Sequence, residues 1–392
     1  MNSIFILWIL IFVLIFTLIK LLKVKKNSIF CFLITIVIIL FVINIDSSIK
    51  ASIEGCKLCF KAIIPTVFSF SLICNLLILY DCISLYSKLL GPFICKPLKL
   101  SPDCSFPIVA SMLSGYPLGA KYSSDIYELN YIDKKEYFRL VNIASNVGPI
   151  FLLGAVGTAL LGNVKYGYFL LISNYLSIFF IAILTIKKSS YNKNYKKKKI
   201  QNSNINFGIA IDSAIKNAIN TTLSVCGYVI AFSVIISLIK NQKLITDVFF
   251  NIEQSLNIPK NALYGTFLGS IEITNGCNII ASSNLSIHLK LAIISFFASF
   301  SGLSAIAQTS SFMSKNKVNM IKYTSLKFIQ GIFSFVVSFS LSKLIFKTAQ
   351  TSSLIVKDSS YKSLYIYILS LLILIAIPLI LKFFKKILLY FS

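Results

Sequence analysis

Histidine, arginine and acidic side chains are almost missing from this chain. Its 392 residues include one histidine, His288, and 13 Asp and Glu against 38 Lys and Arg, with Arg139 the sole arginine. One imidazole leaves little from which to build a metal centre, and no Ser/His/Asp arrangement is legible, so neither an enzyme nor a cofactor is expected. Charge of both signs is scarce: 13% of the residues are charged, where a soluble domain carries about 25%. The alternation over about 10 residues that marks a membrane β-barrel is missing too. What is present is apolar. Hydrophobic residues make up 56% of the chain, aromatics 14%, and the mean hydropathy is +0.82. Apolar runs of about 20 residues, enough to span a hydrocarbon core of about 30 Å, recur throughout. The composition therefore describes an all-α polytopic membrane protein whose first partner is the lipid bilayer.

The net charge of +25 does not indicate a nucleic-acid partner, because no recognition module surrounds any basic stretch. The lysines sit between apolar runs, where cytoplasmic loops collect them. Most of the nine cysteines lie in apolar runs and behave as small hydrophobes. Cys56 and Cys59 form a lone CxxC without a second ligand pair, so no metal site is expected.

Crossings are predicted at 4–20, 28–45, 58–80, 140–162, 166–186, 209–239, 291–312, 326–346 and 363–381. The first is read as a retained helix, because its basic residues follow the apolar run instead of preceding it. Two further apolar segments, 105–130 and 260–287, are interrupted by Gly, Pro, Ser and Asn and are predicted to be re-entrant hairpins. With nine crossings, the lysine groups at 20–26, 88–99, 134–139, 187–199, 315–327 and 382–386 fall on one side. This gives an outside N-terminus and an inside C-terminus. His288 is predicted at a membrane edge, facing the surface.

The organisation expected is N-terminal transmembrane helices over 1–45, a first repeat over 46–186 and a lysine-rich cytoplasmic linker over 187–207. A second repeat over 208–348 and a C-terminal helix and tail over 349–392 follow. The repeats share an order: long helix, broken segment, a helix opening on a small-residue cluster, and a further helix. Gly115 and Gly269 are 154 positions apart, as are Gly148 and Gly302. Three crossings in each repeat would insert them in opposite orientations. Inverted repeats with paired broken segments are the architecture of secondary transporters, with substrate held where the breaks meet.

In the first broken segment, residues 114–121 read SGYPLGAK. A break frees backbone N–H and C=O groups, which lipid cannot satisfy, so it must be buried in protein or line a cavity. Gly115 and Gly119 allow backbone approach, and Pro117 ends the preceding helix. The half-helix that follows would point its N–H groups at an anion, with Lys121 adding a full charge and Ser114 and Tyr116 completing the site. Gly115 and Gly119 alternatively form a GxxxG packing seam.

The partner segment, 269–276, reads GSIEITNG. Glu272 is a carboxylate in an apolar run, where insertion costs about 2.5–3.5 kcal/mol. It could bind a coupling proton or sodium ion, pair with Lys121, accept a hydrogen bond from substrate, or cap a half-helix. Thr274, Asn275 and Asn278 add polar groups, and Gly269 and Gly276 flank them. Asn146, Gly148 and Pro149 break the fourth crossing near its start. Ser301, Gly302, Ser304 and Gln308 form the matching cluster, serving either substrate or interhelical hydrogen bonds.

These two motifs, each inside a duplicated half, resemble the stage V sporulation protein V family, the YlbJ-type integral membrane proteins with two gate-type nucleoside-recognition domains. The resemblance spans nearly everything after residue 45. It implies a fold like that of concentrative nucleoside transporters and a location in the outer forespore membrane. It also implies export of dipicolinic acid from the mother-cell cytosol during sporulation. Dipicolinate is a flat aromatic dianion, which a half-helix N-terminus, Lys121 and Tyr116 would suit. A carrier of nucleosides or another small solute, and a non-transporting scaffold, are the rival readings.

Overall fold

The computed structural model describes residues 26–186 and 206–346. The predicted crossings 4–20 and 363–381, and nearly all of the linker, lie outside these. Among the described residues every regular element is helical. Five stretches are long and apolar enough to cross a membrane: Ile45–Leu79, Val164–Leu184, Phe207–Lys240, Ile287–Asn316 and Met320–Ile345. The chain is an integral membrane protein.

Helix α1 (Lys26–Ile43) leads into α2 (Ile45–Leu79), which winds as a wider π-helix over Cys59–Phe68. Pro65 lies in that stretch and has no N–H to give the helical ladder. A connecting helix, α3 (Cys82–Leu89), precedes the first hairpin, α4 (Ser105–Ser114) and α5 (Leu118–Glu128). Then come α6 (Lys134–Ile143), a π-helical α7 (Phe151–Leu160) and the straight α8 (Val164–Leu184).

The second half repeats this order. Long helix α9 (Phe207–Lys240) and connecting helix α10 (Lys243–Ser255) lead to a hairpin, α11 (Ala262–Ile271) and α12 (Ile273–Ser282). A broken helix, α13 (Ile287–Phe300) and α14 (Gly302–Met313), and the straight α15 (Met320–Ile345) complete it. Contacts between the halves are exchanged: α5 packs on α14, α12 on α7, and the two straight helices α8 and α15 on each other.

Three expectations are corrected. The crossing at 140–162 is not one helix opening on a break. It starts earlier, at Lys134, and leaves helical geometry over 144–148 before helix resumes at Pro149. Likewise 291–312 is split in its interior at Ser301, which adopts a left-handed φ of 76°. In both halves the small-residue cluster is a mid-element break. Third, Arg139 and Lys327 are not solvated loop cations. The Arg139 guanidinium is buried and donates to the carbonyls of Lys99 (2.8 Å), Leu98 (2.9 Å) and Ala182 (3.2 Å), tying α6 to α8 and the loop before α4. Lys327 is completely enclosed. His288 is half-buried, its Nδ1 lying 3.2 Å from Ser342 Oγ.

Candidate functional site

Each hairpin break is built by its own sequence. The chain leaves α4 at Gly115, whose φ of +79° and ψ of −165° suit a residue without Cβ. It re-enters helix at Leu118, after the cis Tyr116–Pro117 bond. The freed Tyr116 N–H donates to the Asn146 carbonyl at 2.8 Å, so the break of the hairpin is satisfied by the break between α6 and α7. In the second half Glu272 is extended and separates α11 from α12. Its carboxylate caps α12, accepting from the N–H groups of Thr274 (2.9 Å) and Asn275 (2.9 Å) and from the Asn275 amide (2.8 Å). Gly302 lies against the carbonyls of Gly269 and Ile271, so here too the two breaks of one half meet.

The halves also meet each other. Tyr116 is half-buried against the core, and α5, which follows it, packs on α14, with the Ser124 hydroxyl donating to the Phe312 carbonyl at 3.1 Å. Helix α12, which Glu272 caps, packs in turn on α7, just beyond the break between α6 and α7.

Most of the other predicted residues have partners within their own half. Lys121 does not pair with Glu272. Its ammonium bonds to Asp125 at 2.7 Å and Asn75 at 3.3 Å, and lies 4.6 Å from the centre of the Tyr122 ring. Asp125 is one turn along α5 and intercepts it. Ser114 returns its hydroxyl to the Ala110 carbonyl, at 2.7 Å. Gly119 sits where α5 crosses the α6–α7 break, and Gly276 packs against Gly269 across the second hairpin. Gly148 backs onto Ser114 and Gly115. Thr274 is exposed, and Asn275 receives the Lys240 ammonium at 2.5 Å. Ser301 is buried, and its hydroxyl has no partner among the described residues. Because Glu272 holds three N–H groups, Glu272→Ala is expected to lower stability by about 0.5–2 kcal/mol, the worth of an N-cap. Thermal unfolding of purified protein measures it, with Glu272→Gln losing less because one acceptor oxygen remains.

Sequence reasoning missed a deeper polar layer. Tyr323, Lys327, Gln330, Ser334, Ser338 and Ser342 recur every three or four residues along α15, and all are buried. The opposite face carries exposed Ile321, Phe328, Ile332 and Val336. A helix with its apolar face outward and polar face inward is what lipid surroundings demand. That spacing was the signal available. Lys327 Nζ donates to the Ser145 carbonyl, Asn146 Oδ1 (3.2 Å) and Gln330 Oε1 (3.0 Å). Gln330 passes the network to Asn146 (3.1 Å) and Ser177 (3.1 Å). Ser177 and Asn174 on α8 then reach Ser299 on α13, each at 3.0 Å. Tyr323 adds a bond to Ser145 at 2.8 Å. The layer joins both halves at the α6–α7 break.

No family model matches this chain, and no solved structure does. It is similar to the sporulation integral membrane protein YlbJ of Bacillus subtilis (strain 168), with 25% identity over 322 residues, covering 74% of this chain and 76% of that protein. This similarity supports the YlbJ-type family.

Proposed function

Taking similarity to the YlbJ-type sporulation membrane proteins as the premise, we propose that this chain is a carrier for a small aromatic dicarboxylate, dipicolinic acid. It moves this anion from the mother-cell cytosol across the outer forespore membrane during sporulation. The observation that carries the reading is that the segments following the breaks pack across the halves, α5 on α14 and α12 on α7. Backbone outside a helix belongs in a membrane only where it lines a cavity or is buried in protein, and paired breaks at a repeat interface are where transporters hold their cargo.

In this reading the halves are inverted gate-type repeats, as in concentrative nucleoside transporters. The exchanged contacts of α5 with α14 and α12 with α7 support a two-fold relation between them. Hairpin arms of 10 or 11 residues are about 15 Å long, half the hydrocarbon thickness of about 30 Å, which suits re-entrant entry. Glu272 is the group at which a proton or sodium ion would couple to transport. Unchanged flux after both gradients are collapsed would remove that role.

Proteoliposomes containing the purified protein test the substrate. Saturable uptake of labelled dipicolinate, competed by unlabelled dipicolinate and not by uridine, is the expected result. Uridine uptake without response to dipicolinate would make the protein a nucleoside carrier. Absence of flux with either compound would favour a scaffold.

A further inference from the structure

Lys327 is the most deeply buried cation among the described residues, with no exposed surface. Its three N–H bonds go to a backbone carbonyl and two side-chain amides, Asn146 and Gln330, all of them neutral. The bonds satisfy its donors and leave its charge unmatched. Among the described residues no carboxylate lies at ion-pairing distance from it, whereas Lys57, Lys121 and Lys216 each have one. Burying an ammonium without a counter-charge is costly, and the cost falls when an anion joins it.

Two further observations bear on what completes the site. Asn174, fully buried and linked to Lys327 through Ser177 and Gln330, has a side-chain N–H₂ with no acceptor among the described residues. A narrow cavity of about 10 Å³, room for about one water, is lined mainly by aliphatic side chains together with Tyr175, Phe179, Ser111 and Asn146, whose amide Lys327 holds. A charge without a counter-charge and an amide donor without an acceptor, held in one buried layer, call for an anion.

We propose that Lys327, supported by Asn174, is the carboxylate-binding group of the transport site. An entering carboxylate takes the place of Asn146 Oδ1 as acceptor from Nζ, exchanging a neutral oxygen for an ionised one. Lys121, already neutralised by Asp125, does not serve in this role. The assignment rests on the anion-carrier reading above, and deepens it by naming the residue that selects for charge.

Binding of labelled dipicolinate to purified full-length protein tests it. Lys327→Met is expected to weaken binding by about ten- to a hundredfold, the range of one charge-assisted hydrogen bond. Lys216→Gln, an exposed lysine on α9, is expected to bind as wild type does. Lys327→Met removes an uncompensated charge but strands the Gln330 Oε1 acceptor, so thermal unfolding first establishes that the variant folds before its binding is compared. A second arm needs only wild-type protein: isophthalate, with both carboxylates and no ring nitrogen, competes, and the uncharged dimethyl ester of dipicolinate does not. Equal affinity of Lys327→Met and wild type, or effective competition by the diester, overturns the assignment while leaving the carrier reading in place. Wild-type transport of uridine without any binding of dicarboxylates overturns both.

Discussion

Gly119→Ala is expected to yield little correctly assembled protein. A Cβ at this position would lie 1.8 Å from the Ala144 carbonyl oxygen and 2.5 Å from Ser111 Cβ. The first of these is backbone at the start of the α6–α7 break, so no rotamer change relieves it. Helix α5 would have to move off the break, taking with it the Tyr116 N–H bond to Asn146. Overpacking against side chains costs about 1–3 kcal/mol, and a backbone clash this close should reach or exceed the upper end. Size-exclusion behaviour and the thermal transition in detergent measure it. Gly227→Ala on α9 is the matched control, because nothing lies within 4 Å of the added methyl. There the substitution should be neutral or stabilise by up to about 1 kcal/mol, as alanine does in a helix interior.

The second large effect is expected at Asn146. Its Oδ1 accepts from Lys327 (3.2 Å) and Gln330 (3.1 Å), and its amide donates to the Ile143 carbonyl. Asn146→Leu removes the acceptor shared by a buried cation and a buried amide, while both donors stay behind. Stranding a buried hydrogen-bonding group costs about 1–3 kcal/mol, and breaking up the surroundings of a buried charge about 3–5 kcal/mol. A destabilisation of about 2–5 kcal/mol is therefore expected. Combining Asn146→Leu with Lys327→Met should recover much of it, because the stranded charge goes as well. A double-mutant cycle on thermal or denaturant unfolding reads this coupling directly. Additive losses would mean that Asn146 acts through its bond to Ile143 alone.

Membrane class, interrupted segments and repeated element order were legible in the primary sequence for a local reason. Hydropathy marks a lipid-facing helix wherever it lies, and Gly115 and Pro117 interrupt a helix through their own backbone preferences. The 154-residue offset paired Gly115 with Gly269 and Gly148 with Gly302, and within each half the fold then sets the two glycines against each other, Gly115 by Gly148 and Gly302 by the Gly269 carbonyl. Local pattern was less informative about cations. Lys121 stands beside a break and looks like its charge, yet Asp125 four positions on takes it. Lys327 stands at the end of a basic loop and looks solvated, yet it is enclosed.

By itself, then, the sequence determined that the chain lives in a bilayer, that two segments must interrupt their helices there, and that two halves share one order of elements. Only the tertiary structure decided which polar groups face inward and which lysine is left without a counter-charge. The physical reason is distance along the chain. Asn146 and Lys327 meet across 181 positions, and the Ser124 hydroxyl meets the Phe312 carbonyl across 188. Burial and pairing at such sites depend on how α8, α13 and α15 pack, which no window of neighbouring residues contains.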